Sequence, residues 1–172
     1  MKLSRRVFLG TALGGGAAAL AVGAGMLAPL PPGEGLLAFS TREFTTLQAI
    51  TDALFPRDVL GVGPVDVGVA QKTDAYAANM FPRERMLLKL MMRLLEKRPH
   101  LEGLGGFSTL PVDQRVTLLR RWEDEGGLFG LGVSGVRVLC AMFFFGDAKV
   151  QAAVGWGMGC DDVRPRPEGV PG

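Results

Sequence analysis

The sequence predicts an all-α fold, a small domain of five to six helices behind an N-terminal signal segment. Three observations carry that reading. No stretch sustains the apolar–polar alternation of a half-buried strand. Apolar side chains recur instead at helical spacing, as in Phe44, Leu47, Ile50 and Leu54. Proline and glycine clusters break the chain between such segments.

Residues 1–30 read as an export signal. Lys2, Arg5 and Arg6 supply positive charge, and no charged residue follows from Val7 to Gly33. Ser4-Arg5-Arg6-Val7-Phe8-Leu9 resembles the twin-arginine consensus, which makes Ser4, Arg5, Arg6, Phe8 and Leu9 the candidate recognition residues for the twin-arginine translocase. The apolar run is long enough to span a bilayer. Its glycines at 10, 14, 15, 16, 23 and 25 disfavour a stable membrane helix. A periplasmic location follows, and cleavage stays open. Val22-Gly23-Ala24 suits a peptidase, whereas Pro29 hinders a cut after Ala28, and an uncut segment is a membrane anchor. The twin-arginine route carries folded cargo, often with a cofactor or partner. This chain shows no cofactor motif, so a partner is expected.

Residues 31–38, rich in Pro and Gly, read as a linker to a helical domain over 39–157. Ser40 and Glu43 have the spacing of a capping box, and Phe39 and Phe44 that of a hydrophobic staple. The first helix closes at Phe55-Pro56. After the loop Gly61-Val62-Gly63-Pro64, a second helix starts near Pro64–Asp66 with Val69, Thr73, Tyr76 and Met80 on one side. Pro82 opens a third. There only Lys89, Arg93, Glu96 and Lys97 interrupt the apolar sequence Met86 to Leu95 and its end. That narrow polar stripe predicts a helix covered on most sides: the central core helix, or alternatively a partner-binding one. Phe107 to Pro111 leads into a fourth helix with Val116, Leu119 and Trp122 inward, ended by Gly126-Gly127. A fifth runs from about Leu131 to Phe145, and its unbroken apolar run Val138 to Phe145 reads as buried. A short helix from Ala148 to Val154 precedes a loose tail, 158–172.

Composition narrows the function. An apolar fraction of 48% and a charged fraction of 21% exclude disorder. Of 19 basic residues three lie in the signal, which leaves 16 against 17 acidic ones, so no nucleic-acid surface is expected. About 140 residues beyond the signal suit one domain with a single core. Cys140, Cys160 and the lone His100 are too few for a disulfide scaffold, an iron–sulfur cluster or a structural zinc site. Cys140 reads as a core thiol; Cys160 is expected in the tail, where it pairs with Cys140, with a partner's cysteine, or with nothing. Gly130 to Gly135 matches G-x-G-x-x-G, but a helix precedes it where a dinucleotide site needs a strand. Close helix approach and a tight turn are the better uses of those glycines. Asp58 reads as organising the turn after Pro56, Asp161-Asp162 as tail residues, and His100 as a solvated loop residue. No catalytic, metal or cofactor residue is assigned.

Several landmarks recur in an order that resembles the small subunit, subunit 3, of membrane-bound gluconate 2-dehydrogenase. They are the twin-arginine signal, Leu54-Phe55-Pro56, the Gly/Pro loop, and Asp74 with Tyr76. Phe107-x-x-Leu110-Pro111-x-x-Gln114-Arg115, Leu118-Leu119, Trp122 and the segment Val150 to Trp156 complete them. The glycine-rich stretch Gly126–Gly135 departs from that family's more charged entry into its next helix. The resemblance implies a non-catalytic subunit that binds, stabilises and escorts an FAD-dependent large subunit of the glucose-methanol-choline type. FAD and the catalytic base then belong to that partner, and a cytochrome c subunit often accepts the electrons. The alternative is a stand-alone exported or membrane-tethered helical binding domain. Two strongly apolar stretches are more than three remaining longer helices easily cover. Met86, Leu90, Met91, Leu94, Phe143, Phe144 and Trp156 are therefore the candidate partner contacts.

Overall fold

A computed structural model describes residues 30–156. The candidate export residues Ser4, Arg5, Arg6, Phe8 and Leu9, and Cys160 with the tail, lie outside them. The described residues are all-α: α1 (Thr41–Leu54), α2 (Arg57–Leu60), α3 (Val69–Ala78), α4 (Pro82–Lys97), α5 (Val112–Glu125), α6 (Gly127–Phe145) and α7 (Ala148–Ala153). Two 3₁₀ turns, Arg98–Glu102 and Phe107–Thr109, join α4 to α5, and no strand occurs among these residues. The four-residue α2 is the helix that the sequence pattern does not announce. Packing gathers the chain into two compact units rather than a single core, and each is described by itself.

The first unit holds residues 30–49 and 74–111. Ser40 and Glu43 form the expected capping box: the Ser40 N–H donates to Glu43 Oε2 at 2.8 Å, and the Glu43 N–H reaches Ser40 Oγ at 3.5 Å. Residues 31–38 are not a slack linker. Asp74 accepts from the backbone N–H groups of Leu37, Ala38 and Phe39 at 2.7, 3.0 and 2.9 Å, and so fixes the approach to α1. Phe39, Leu47, Met92, Leu95 and Phe107 are the large buried side chains.

Helix α4 corrects its sequence reading. Proline at its first turn sets the start as expected. Of its polar stripe, however, Lys89, Arg93 and Glu96 face the protein, whereas Lys97 is exposed. The Arg93 guanidinium donates to Glu43 Oε1, and Lys89 Nζ lies 3.5 Å from Glu43 Oε2. Lys89 also donates to the carbonyls of Leu30 and Ala38, each at 2.8 Å. Glu96 accepts from the Ser108 N–H and hydroxyl, both at 2.9 Å, and from the Thr46 hydroxyl at 3.1 Å. Of the helix's apolar residues only Met92 and Leu95 are buried, while Met86 and Leu87 are exposed. The helix is therefore neither covered on most sides nor the apolar centre of the fold. A carboxylate buried in α1 requires cations, and α4 turns toward it the face that carries them.

The second unit holds residues 50–73 and 112–156. Ile50, Phe55, Val69, Leu119, Trp122, Val133, Phe144 and Val150 are buried in it. Gly126 and Gly127, with φ of 68° and 61°, turn the chain from α5 directly into α6. A Cβ on Gly130 would lie 3.0 Å from the Trp122 carbonyl oxygen, so glycine there permits close approach of α6 to α5. The turn after α2 is organised by Asp66, which accepts from the Gly63 N–H at 2.8 Å and lies 3.6 Å from Arg57. Asp58, expected to organise the turn after Pro56, is exposed in the first turn of α2. Val69 and Thr73 are buried and Tyr76 is exposed, so the side of α3 they share is only partly covered.

Candidate partner-binding surface

Helix α6 is an apolar helix with one buried side. Its 19 residues carry a single charge, Arg137, which pairs with Glu123 of α5. Gly130, Val133, Val136, Cys140 and Phe144 face inward. At 100° per residue, Leu128, Leu131, Val138, Met142 and Phe145 fall within one quadrant or slightly more, and each is 43 to 75% exposed. The reading of Val138 to Phe145 as buried therefore fails at Val138, Met142 and Phe145, and holds fully only for Cys140 and Phe144. The reason is geometric: an eight-residue apolar run covers the whole circumference of a helix, and here the protein covers only one side. By length and composition alone this helix is also apolar enough to cross a membrane, with a mean hydropathy of 1.9 over its best window.

The candidate contact residues divide accordingly. Phe144 is 2% exposed and stacks on Phe55 with ring centroids 4.6 Å apart, which removes it from any surface. Phe143 is half-buried, and Trp156 is exposed. In the first unit Met86 is exposed, whereas Leu90, Met91 and Leu94 are half-buried. The residues the sequence reading missed are Leu128, Leu131, Val138 and Met142 on α6, and Phe81 with Leu87 at the start of α4, all exposed. The signal for the first four was available, since they recur at helical spacing, but the glycines between them disguise the start of the helix.

Chemical groups elsewhere are quiet. Cys140 is buried beside the Thr73 hydroxyl, and burial pushes its thiol up to about 12. His100 is exposed, with Nδ1 3.0 Å from the Leu104 carbonyl oxygen. Gly130 to Gly135 lies wholly inside α6, with no strand before it. Among the described residues no group of three or more His, Cys, Asp or Glu side chains could hold a metal ion. No family model, curated protein or solved structure matches this chain.

Proposed function

We infer that this chain is an exported, non-catalytic small subunit that binds, stabilises and escorts an FAD-dependent dehydrogenase subunit through the twin-arginine pathway. The observation that carries the reading is the outer face of α6, five large apolar side chains in one stripe on a helix with a single, already paired charge. Exposed apolar surface of this kind marks an interaction site, and obligate interfaces are large, above about 2,000 Å², and apolar. The signal residues and the order of landmarks from Leu54-Phe55-Pro56 to Trp156 supply the class of partner. FAD and a cytochrome c acceptor belong to the other subunits.

Affinity capture of the full chain from the periplasm and membranes of its native cells, read by flavin absorbance and mass identification, tests this. A signal-less flavoprotein is expected to co-purify. Leu131→Asp with Val138→Asp is expected to release it, and Arg5→Lys with Arg6→Lys to hold both proteins in the cytoplasm. A well-behaved monomer that recovers no flavoprotein overturns the reading. The stand-alone exported binding domain, tethered if its signal segment is not cut, then takes its place.

A further inference from the structure

The first unit contains a cavity of about 570 Å³ between the first turns of α1 and the last turns of α4. That volume lies within the ordinary range of small-molecule sites, roughly 300–1,000 Å³. Its walls carry two carboxylates and three cations: Glu43 and Glu96, with Arg42, Arg93 and Lys97. The carboxylates are already engaged. Both oxygens of Glu43 accept, from Ser40, Lys89 and Arg93, and both oxygens of Glu96 accept, from Ser108 and Thr46. The cations divide differently. Arg93 serves Glu43, whereas neither Arg42 nor Lys97 pairs with a carboxylate among the described residues. One stands on α1 and the other on α4, both exposed, and both border the same cavity.

We propose that this cavity binds a small organic anion, its carboxylate or phosphate held between Arg42 and Lys97. A guanidinium presents a planar fork that matches an oxyanion, and a lysine ammonium adds a point charge from the facing wall. The engaged carboxylates hold the cavity's shape, and their acceptors are turned to the protein, so the surplus charge offered to a ligand is positive. Leu30 on the cavity wall gives its carbon body an apolar seat. The proposal rests on residues of the first unit alone and does not depend on the reading of α6.

Isothermal titration of the full chain at constant ionic strength tests the proposal. The probes are benzoate, citrate and inorganic phosphate, with benzamide and benzylamine as neutral and cationic counterparts. At least one of the three anions is expected to bind, and neither counterpart. Arg42→Gln with Lys97→Gln is expected to weaken that anion about tenfold or more, and Arg120→Gln, an exposed cation of the other unit, to leave it unchanged. Unchanged circular dichroism of the double variant shows that the fold survives. Three results overturn the proposal: no anion binds, benzamide binds as well as benzoate, or the double variant keeps its affinity. An acidic peptide that binds where all three free anions fail likewise overturns it, in favour of a protein ligand.

Discussion

The Arg93 guanidinium on α4 donates to a Glu43 carboxylate whose side chain is 1% exposed, across 50 residues of sequence. Lys89 completes the neutralisation at 3.5 Å. A buried pair of this kind is not a large source of stability by itself, because desolvation offsets the attraction. Breaking it is another matter. Glu43→Ala leaves two largely buried cations without their carboxylate and removes half of the capping box, and is expected to cost about 3–5 kcal/mol in urea unfolding. Lys97→Ala, a cation on the exposed side of the same helix, is expected to stay within about 0.5 kcal/mol. Equal effects for the two would show that Glu43 is not held as described.

Asp74 carries a comparable load on the backbone. Its carboxylate takes three consecutive N–H groups, those of Leu37, Ala38 and Phe39, and is itself buried. Each buried donor left without a partner costs about 1–3 kcal/mol. Asp74→Ala is therefore expected to lower stability by about 3 kcal/mol or more. It is also expected to open the segment before Phe39 to proteolysis, read by limited digestion and mass mapping. Ala substitution with no new cleavage before residue 40 would refute the role.

Asp52 gives the pH dependence. Burial raises its carboxyl above the ordinary 3.8, and Arg115 opposes that shift without cancelling it. The folded state thus holds this proton more tightly than the unfolded chain. Its contribution is present below the unfolded value and lost as pH rises through the folded one. Asp52→Asn, neutral throughout, is expected to gain on the wild type between pH 3 and pH 7 in thermal melts. A difference that is flat or reversed over that range would contradict the sign.

For Cys140 the expectation is inertness. With the thiol near 12, only about one molecule in ten thousand carries the thiolate at pH 8. Iodoacetamide is expected to leave the Cys140 peptide unmodified in the native protein and to alkylate it in denaturant. Peptide mapping separates it from Cys160. Rapid native labelling would mean that the inner face of α6 opens readily.

What the sequence reveals is what is local. The capping box of Ser40 and Glu43 is a three-residue relationship, and the start of α4 is written in Pro82; both stand as read. The orientation of α4 is not local. An apolar helix with one polar stripe ordinarily turns the stripe to water, and it does the reverse here because Glu43 is buried against it, 50 residues upstream. Asp74 and its three donors are hidden for the same reason, at separations of 35 to 37 residues. Phe144 and Phe145 show the limit of composition: identical neighbours, one stacked on Phe55 in the interior and the other part of the exposed stripe.

The glycines of α6 give its surface a direction. Gly127, Gly130, Gly132 and Gly135 fall in its first nine residues, and none occurs from Val136 to Phe145. Each interior glycine weakens a helix by about 1 kcal/mol relative to alanine. The first half therefore owes its helical state to packing against α5, and its amides are expected to exchange with solvent well before those of the second half. The proposed partner would meet Val138 and Met142 on the firmer half of the helix and would have to order Leu128 and Leu131 on binding. On the proposed reading, substitutions at either end of this face are expected to act mainly on how long a complex lasts, and those near Leu128 to carry the added cost of ordering the glycine-rich half.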